Sequence, residues 1–411
     1  MGIKFLFLSK TTYYKRELTP YIFYRTFIIL FLFIAVIYVF HCSNSNDSDK
    51  EFHPSDKEFH PSYMEWECRV CEGFQTGDPD YEVAGLTWFK EFLYAGVRAH
   101  RYTDPNGGYY DCFKIYRSKD SKNWETVVGD DKRIPCGFGS KANWVFQQFQ
   151  IFNDYLYCAV GIVLWRSYDG VNWEPIAGKN GIFPRGFGVY DVWDLECMAV
   201  YKNHLYVALA RSVGGQIWRS PDGLNWEQVV GDDAETPDGF DDKKHNLFPS
   251  RMMVFKDQLF IVSTDGGVYI FRTYNGIQWE QTIIPETLEK QYFVDSIEIF
   301  KDRLVLGIGS GKGVLVYSSD DGVNWKQVNE AGFGSGANIG IYSLKTFNDW
   351  LFAGTENGNF GCEIWATNDL SSWINVIRYG FYPTYQLGRN GSCTSMIVVN
   401  DALFVGTYAA G

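Results

Sequence analysis

The sequence predicts an all-β protein, a β-propeller of four-stranded blades, seven of them with six as the alternative, preceded by one N-terminal transmembrane helix. Three observations carry this expectation. The 411 residues are 46% hydrophobic and 18% aromatic, with 41 Gly against 13 Pro, a balance that suits many short strands joined by tight turns and excludes wholesale disorder. From about residue 86 the chain repeats roughly every 50 residues, the size of one four-stranded blade. Ahead of the repeats lies one long apolar run with basic residues before it.

That run, Thr26 to Cys42, is uncharged, and with residues 21–25 it reaches bilayer-spanning length at the cost of including Arg25. Lys4, Lys10, Lys15, Arg16 and Arg25 stand against Glu17 alone up to residue 41, whereas the remainder carries 32 basic and 48 acidic residues. The Lys/Arg bias predicts a cytoplasmic N-terminus over 1–20, a signal anchor over 21–42 and an exported body, with cleaved secretion as the alternative. A body at −16 repels phosphate backbones, so no nucleic-acid partner is expected. Residues 43–62 read as a polar stalk containing the tandem SDKEFHP repeat at 48–54 and 55–61, whose histidines are taken as solvated spacer residues. Beyond Cys42, eight cysteines remain, an even number that permits disulfides in an oxidising compartment; Cys68-x-x-Cys71 has no partner pair of zinc-binding spacing. Neither a metal nor a cofactor is expected, and the acidic loop from Asp232 to Asp242 lacks the spacing of an EF-hand.

Within the body, residues 63–411, each unit opens with a strand and a polar turn, as in MAVYKNH (198–204) and IEIFKDR (297–303). A second strand, a glycine-rich turn, a third strand, a hairpin and a fourth strand follow. The hairpins carry Trp124, Trp173, Trp226, Trp279, Trp325 and Trp373, at spacings of 49, 53, 53, 46 and 48. Six units are complete, and a seventh begins at Met396 and stops after two strands. The segment 63–85 is expected to supply its missing outer strands, since a bare half-sheet would expose an edge.

The hairpin consensus S/T-x-D-G-x-N-W occurs with Asp169, Gly170 and Trp173, with Asp222, Gly223 and Trp226, and as SDDGVNW over 319–325. Degraded copies keep Asp120 with Trp124, Gly276 with Trp279, and, in TNDLSSW over 367–373, the aspartate with Trp373. Asp bonds nearby amides, Gly accepts positive φ, and Trp covers the neighbouring sheet. These hairpins resemble the Asp-box, or BNR, repeats of sialidase-like propellers, S-x-D-x-G-x-x-W, matched in full by Ser318, Asp320, Gly322 and Trp325. The resemblance covers the repeat architecture, and in that family the boxes are structural. A sialidase would also need an arginine triad, a general acid, and a tyrosine nucleophile paired with a carboxylate. Arg133-Ile-Pro135 resembles the family's arginine motif, yet RIPCGFG occupies the same place in the repeat as FPRGFG, TPDGF and NEAGFG and reads as a recurring loop.

Function therefore falls to the loops around one mouth of the central channel. Aligned first strands put Gln147, Glu196, Ser250, Asp295, Tyr342 and Thr394 at one register, with Gln148, Arg251 and Ser296 beside it. Glu196 and Asp295 flanking Arg251 are the candidate catalytic group if their pKa values are driven apart, and otherwise a salt-bridge network. Trp144, Arg185, Tyr190, Trp193, Arg251 and Tyr385 are the candidate ligand-binding positions. The expected role is a membrane-anchored recognition module for a glycan or an extracellular protein, with sialidase-like glycoside hydrolysis as the alternative.

Overall fold

The computed structural model describes residues 37–41 and 59–408, apart from stretches at 71–73, 75–79, 104–108, 130–132, 141–145, 178–184, 190, 213, 233, 238–239, 241–247, 265–266, 283–292 and 382–389. The described strands number 28 and are paired antiparallel throughout. They fall into seven sets of four. The first spans 80–128, and the next five span 146–177, 192–230, 248–281, 293–327 and 340–377. The seventh combines Ser392–Val399 and Ala402–Tyr408 with Ile37–His41 and Trp66–Val70. First strands of successive sets touch all the way round, the seventh against the first included. Single pairings, Glu356 with Ser392 and Tyr408 with Glu82, also join sets six, seven and one. Each set is called a blade below.

Local chemistry explains the blade. The turn between its first and second strands has two residues at positive φ in all seven copies, from Lys90-Glu91 through Lys202-Asn203 to Asn400-Asp401. This is the geometry that matches the twist of a tight hairpin. The turn also reaches the next blade: Lys202, Lys256 and Lys301 donate to the carbonyls of Tyr274, Asp320 and Asn368 at 2.6, 2.8 and 2.7 Å. In the outer hairpin, Asp222 accepts the amides of Leu224 and Asn225, and the Ser220 hydroxyl accepts that of Gly223. Burial opposes the Asp222 charge, but the Asn225 and Leu224 amides outweigh it and hold the carboxyl at about 2. In the fifth blade the residue in this role is Asp321, which accepts from Val323 and Asn324, while Asp320 faces out and pairs with Arg303. The full Asp-box match through Asp320 is thus out of register with the turn, because the carboxylate must sit two residues after Ser319 to reach both amides.

The recurring Gly-Phe loop proves to be a wedge between blades. Phe138 stacks on Trp165 at 4.1 Å, Phe187 on Trp218 at 5.3 Å, Phe240 on Phe271 at 3.9 Å and Phe333 on Trp365 at 4.8 Å. Each also meets the hairpin Trp of the blade it enters. Arg133-Ile-Pro135 leads into the first of these wedges, which gives the motif a packing role.

The structure corrects three expected boundaries. Ile37–His41, five of the last six residues of the anticipated membrane span, form a strand bonded on one side to Ala402–Gly406 and on the other to Trp66–Val70, which satisfies its backbone groups within a sheet. The rest of that span, 21–36 and 42, lies outside the described residues, and no helix among the described residues is long and apolar enough to cross a membrane. The anticipated stalk, 43–62, joins two strands of one blade. Its described end packs on blade six, with Phe59 edge-on to Phe347 and His60 to Trp350. Of 63–85, only Trp66–Val70 completes the seventh blade, because Asp80–Phe89 is already the first strand of blade one.

Disulfides join Cys112 to Cys136 and Cys362 to Cys393, the latter linking blade six to blade seven, and Cys68 is disulfide-bonded as well. Cys158 and Cys197 are free and buried, so the even count does not correspond to complete pairing.

Candidate functional site

Every first strand carries a bulge at one height. The pairing register slips between Val83 and Gly85, Phe146 and Gln148, Leu195 and Cys197, Pro249 and Arg251, Val294 and Ser296, Ile341 and Ser343, and Cys393 and Ser395. The extra residues are Ala84, Gln147, Glu196, Ser250, Asp295, Tyr342 and Thr394, the register singled out from the sequence with blade one added. A bulge re-aims a side chain, and six of these seven line one cavity of about 310 Å³, Ser250 being replaced there by Arg251.

In five of the seven blades the residue after the bulge ties its blade to the next. Gln148 exchanges two bonds with the Met198 backbone, at 2.7 and 3.1 Å. Ser296 donates to the Ile341 carbonyl at 2.7 Å, Ser343 to that of Cys393 at 2.7 Å, and Ser395 to that of Val83 at 2.9 Å. Arg251 belongs to this series: its Nε donates to the Asp295 carbonyl at 2.8 Å and an Nη to its own neighbour Ser250 at 2.7 Å. Among the described residues it forms no ion pair with Glu196 or Asp295, so the expected salt-bridge triad is absent in that form. Arg251 acts on both carboxyls through space.

The carboxyl groups are unusual. Burial raises Asp295 to about 7, opposed by Arg251 and assisted by Glu356. Burial likewise raises Glu196 to about 7, with Asp194 adding to the effect and Arg251 opposing it. Asp194 is itself raised by burial to about 6 against Arg98, and Glu82, 3.0 Å from Arg98, is raised in the same way. Tyr342, bonded to Glu356 and near Asp295, is pushed upward by burial and by both charges. The phenol is therefore held neutral, the opposite of an activated nucleophile. Glu196 and Asp295 are raised together rather than apart, so neither is marked as the dedicated acid.

A stability consequence follows. An acid raised in the fold binds its proton more tightly there than in the unfolded chain, so stability falls as pH rises from about 4 to about 7. The size is on the order of 1–3 kcal/mol per group, at about 1.4 kcal/mol per unit. Glu196→Gln should therefore raise the melting temperature at pH 8 and leave it nearly unchanged at pH 5; thermal melts at the two pH values check this, and an equal change at both would contradict it. As pH falls from about 4 to about 2 the stabilisation from the hairpin aspartates, Asp169 and Asp222 at about 2, is lost.

Around the mouth stands an arc of exposed apolar side chains. Trp193 is 56% exposed, Phe293 65%, Phe360 47% and Ile339 41%, and Trp193 stacks on Phe248 at 5.2 Å. Trp193, Phe248 and Phe293 open the first strands of blades three to five, Ile339 immediately precedes that of blade six, and Phe360 lies in the turn between its second and third strands. All five are at the mouth end.

Of the candidate ligand-binding positions, the structure thus brings Trp193 and Arg251 to one mouth. Trp144, Tyr190 and Tyr385 lie outside the described residues, and Arg185 opens the turn Arg185–Gly188, its side chain likewise outside the description. Sequence reasoning missed Glu82, Arg98, Asp194 and Glu356. Asp194 had a legible signal: two residues before Glu196 on a strand, it shares that residue's face. Glu356 ends a second strand, and only the ring brings it to Tyr342. Among the described residues no group of three His, Cys, Asp or Glu is arranged to hold a metal ion.

No family model and no curated protein matches the chain. Among solved structures it is similar to a protein from Lactobacillus plantarum at 8% identity and a TM-score of 0.49, over 90% of this chain and 99% of that one. It is also similar to the alpha-L-arabinofuranosidase Arb93A from Fusarium graminearum in complex with an iminosugar inhibitor, at 16% identity and a TM-score of 0.43, over 69% and 90% of the two chains. A third likeness is to YCF48 bound to a D1 peptide, at 15% identity and a TM-score of 0.46, over 78% and 84%.

Proposed function

We propose that the chain is a seven-bladed propeller of the sialidase-like architecture that serves as a recognition module, binding a glycan or protein partner at the channel mouth. The observation that carries this reading is the ring of bulges, which turns chemically unlike residues from different blades into one cavity beside an exposed aromatic arc. A stacking fault repeated only for packing would not require Gln147, Glu196, Asp295 and Tyr342 to differ. Aromatic and arginine side chains at such a mouth anchor partners or stack on sugar faces. We further propose an exported body, in keeping with its disulfides, and because the 16 residues left at 21–36 fall short of the about 20 that a spanning helix needs, the secreted alternative gains over the signal anchor. Added protease should then reach the propeller on intact cells.

Glycoside hydrolysis is the second reading, favoured by two buried carboxyls at about 7. Its sialidase form is disfavoured by charge: Glu82, Asp194, Glu196, Asp295 and Glu356 outnumber Arg98 and Arg251, a poor setting for an anionic sugar. A glycan array probed with the full chain, with products analysed after incubation, tests both readings. Retention of intact glycan that is lost in Trp193→Ala supports recognition. Turnover abolished by Glu196→Gln in a folded variant would replace it with catalysis.

A further inference from the structure

We infer that the mouth takes a basic side chain, a lysine or arginine projecting from a partner protein, with the aromatic arc seating the flanking residues. The inference rests on the recognition reading above and names the class of partner.

Charge complementarity is the first argument. Glu196 and Asp295 line the cavity with Arg251, and Glu82, Asp194 and Glu356 add to the negative charge acting on this group against Arg98 alone; Arg251 already spends its Nε and one Nη on backbone carbonyls. The whole chain carries −12, so the approach of a basic partner is favoured at long range as well. Shape is the second. A cavity of about 310 Å³ accommodates one long side chain, and its walls also include Phe146, Phe149, Met252 and Met396, suited to an aliphatic stem. The third argument is the rim. Trp193, Phe293 and Phe360 extend over blades three to six, a span that fits a protein surface and exceeds what a small free cation would touch.

Cation binding favours the ionised carboxyls, so it releases protons and strengthens between pH 6 and pH 8. The groups facing Glu196 are Asp194 and Arg251; those facing Asp295 are Arg251, Glu356 and Tyr342.

The test is a random dodecapeptide library selected on the immobilised full chain, followed by synthetic peptides measured against wild type and Glu196→Gln/Asp295→Asn. Selected peptides should share one lysine or arginine. Acetylating that lysine, or using the double variant, should weaken binding at least tenfold, whereas Trp193→Ala should weaken the native and acetylated peptides by similar factors. Selected peptides without a basic residue, or basic peptides that bind the double variant equally, would overturn the inference. Neutral peptides or glycans that still respond to Trp193→Ala would leave recognition at the mouth standing while the cationic class fails. If no ligand responds to any mouth variant, both fail.

Discussion

Replacing Phe74 with alanine is expected to destabilise the whole body by about 3–5 kcal/mol, the usual loss for a buried phenylalanine. The residue is 6% exposed, stacks on Tyr116 at 4.2 Å and meets Trp124 edge-on at 5.2 Å. It is the seventh blade's copy of the Gly-Phe wedge, following Trp66–Val70 as Phe240 follows the hairpin of blade three. The difference is covalent context, since it joins N-terminal chain to a ring whose last blade begins more than three hundred residues later. A wedge at the closing junction holds both ends of the sheet series, so its loss should lower the single cooperative transition rather than melt one loop. Urea titrations followed by tryptophan fluorescence measure this, with Phe187→Ala as the comparison at an internal junction. A cost below about 1 kcal/mol for Phe74→Ala, with Phe187→Ala costly, would mean that the ring is not closed there.

The second large effect concerns the hairpin glycines. Gly223 has φ +77, and a Cβ placed on it would lie 1.8 Å from the Tyr157 hydroxyl of the preceding blade. Gly170 faces Tyr94 and Gly276 faces Tyr206 in the same manner, while Gly322 faces Phe260. Blade six differs on both sides: Leu370 takes the glycine's place at φ 64, and the residue it packs with is the small Val305. Gly223→Leu alone should therefore cost about 3 kcal/mol or more, from overpacking plus a strained backbone. Tyr157→Val alone leaves a cavity and should cost about 2–4 kcal/mol. The double variant should recover at least about 1 kcal/mol of the summed loss, because the leucine fills the space the ring vacates. A double-mutant cycle measured by denaturant unfolding checks this; strict additivity would mean that the two sites do not meet.

The pairing of Leu370 with Val305 also shows how far the sequence could be read. Two-residue turns, hairpin aspartates and tryptophans act over a few residues, so their chemistry is written locally and the blade was legible from it. The shared register of Glu196, Asp295 and Tyr342 was legible too, because a repeat aligns equivalent positions. WECRVCEGF, 66–74, repeats the Trp-Glu and Gly-Phe elements of a hairpin end and could have identified the outer strand of blade seven.

What the sequence determined by itself is therefore the repeating unit: four strands, the turn chemistry that joins them, and the aromatic residues that cover each sheet. The tertiary structure decided the rest. Ile37–His41 reads as membrane helix because apolar content alone does not distinguish lipid from a sheet interior; only the free edge of Ala402–Tyr408 makes it a strand. Glu82, Asp194 and Glu356 join Glu196 and Asp295 because closing a ring sets residues from four blades around one opening. Burial in that shared opening, a property no short segment carries, then raises Glu196 and Asp295 to about 7.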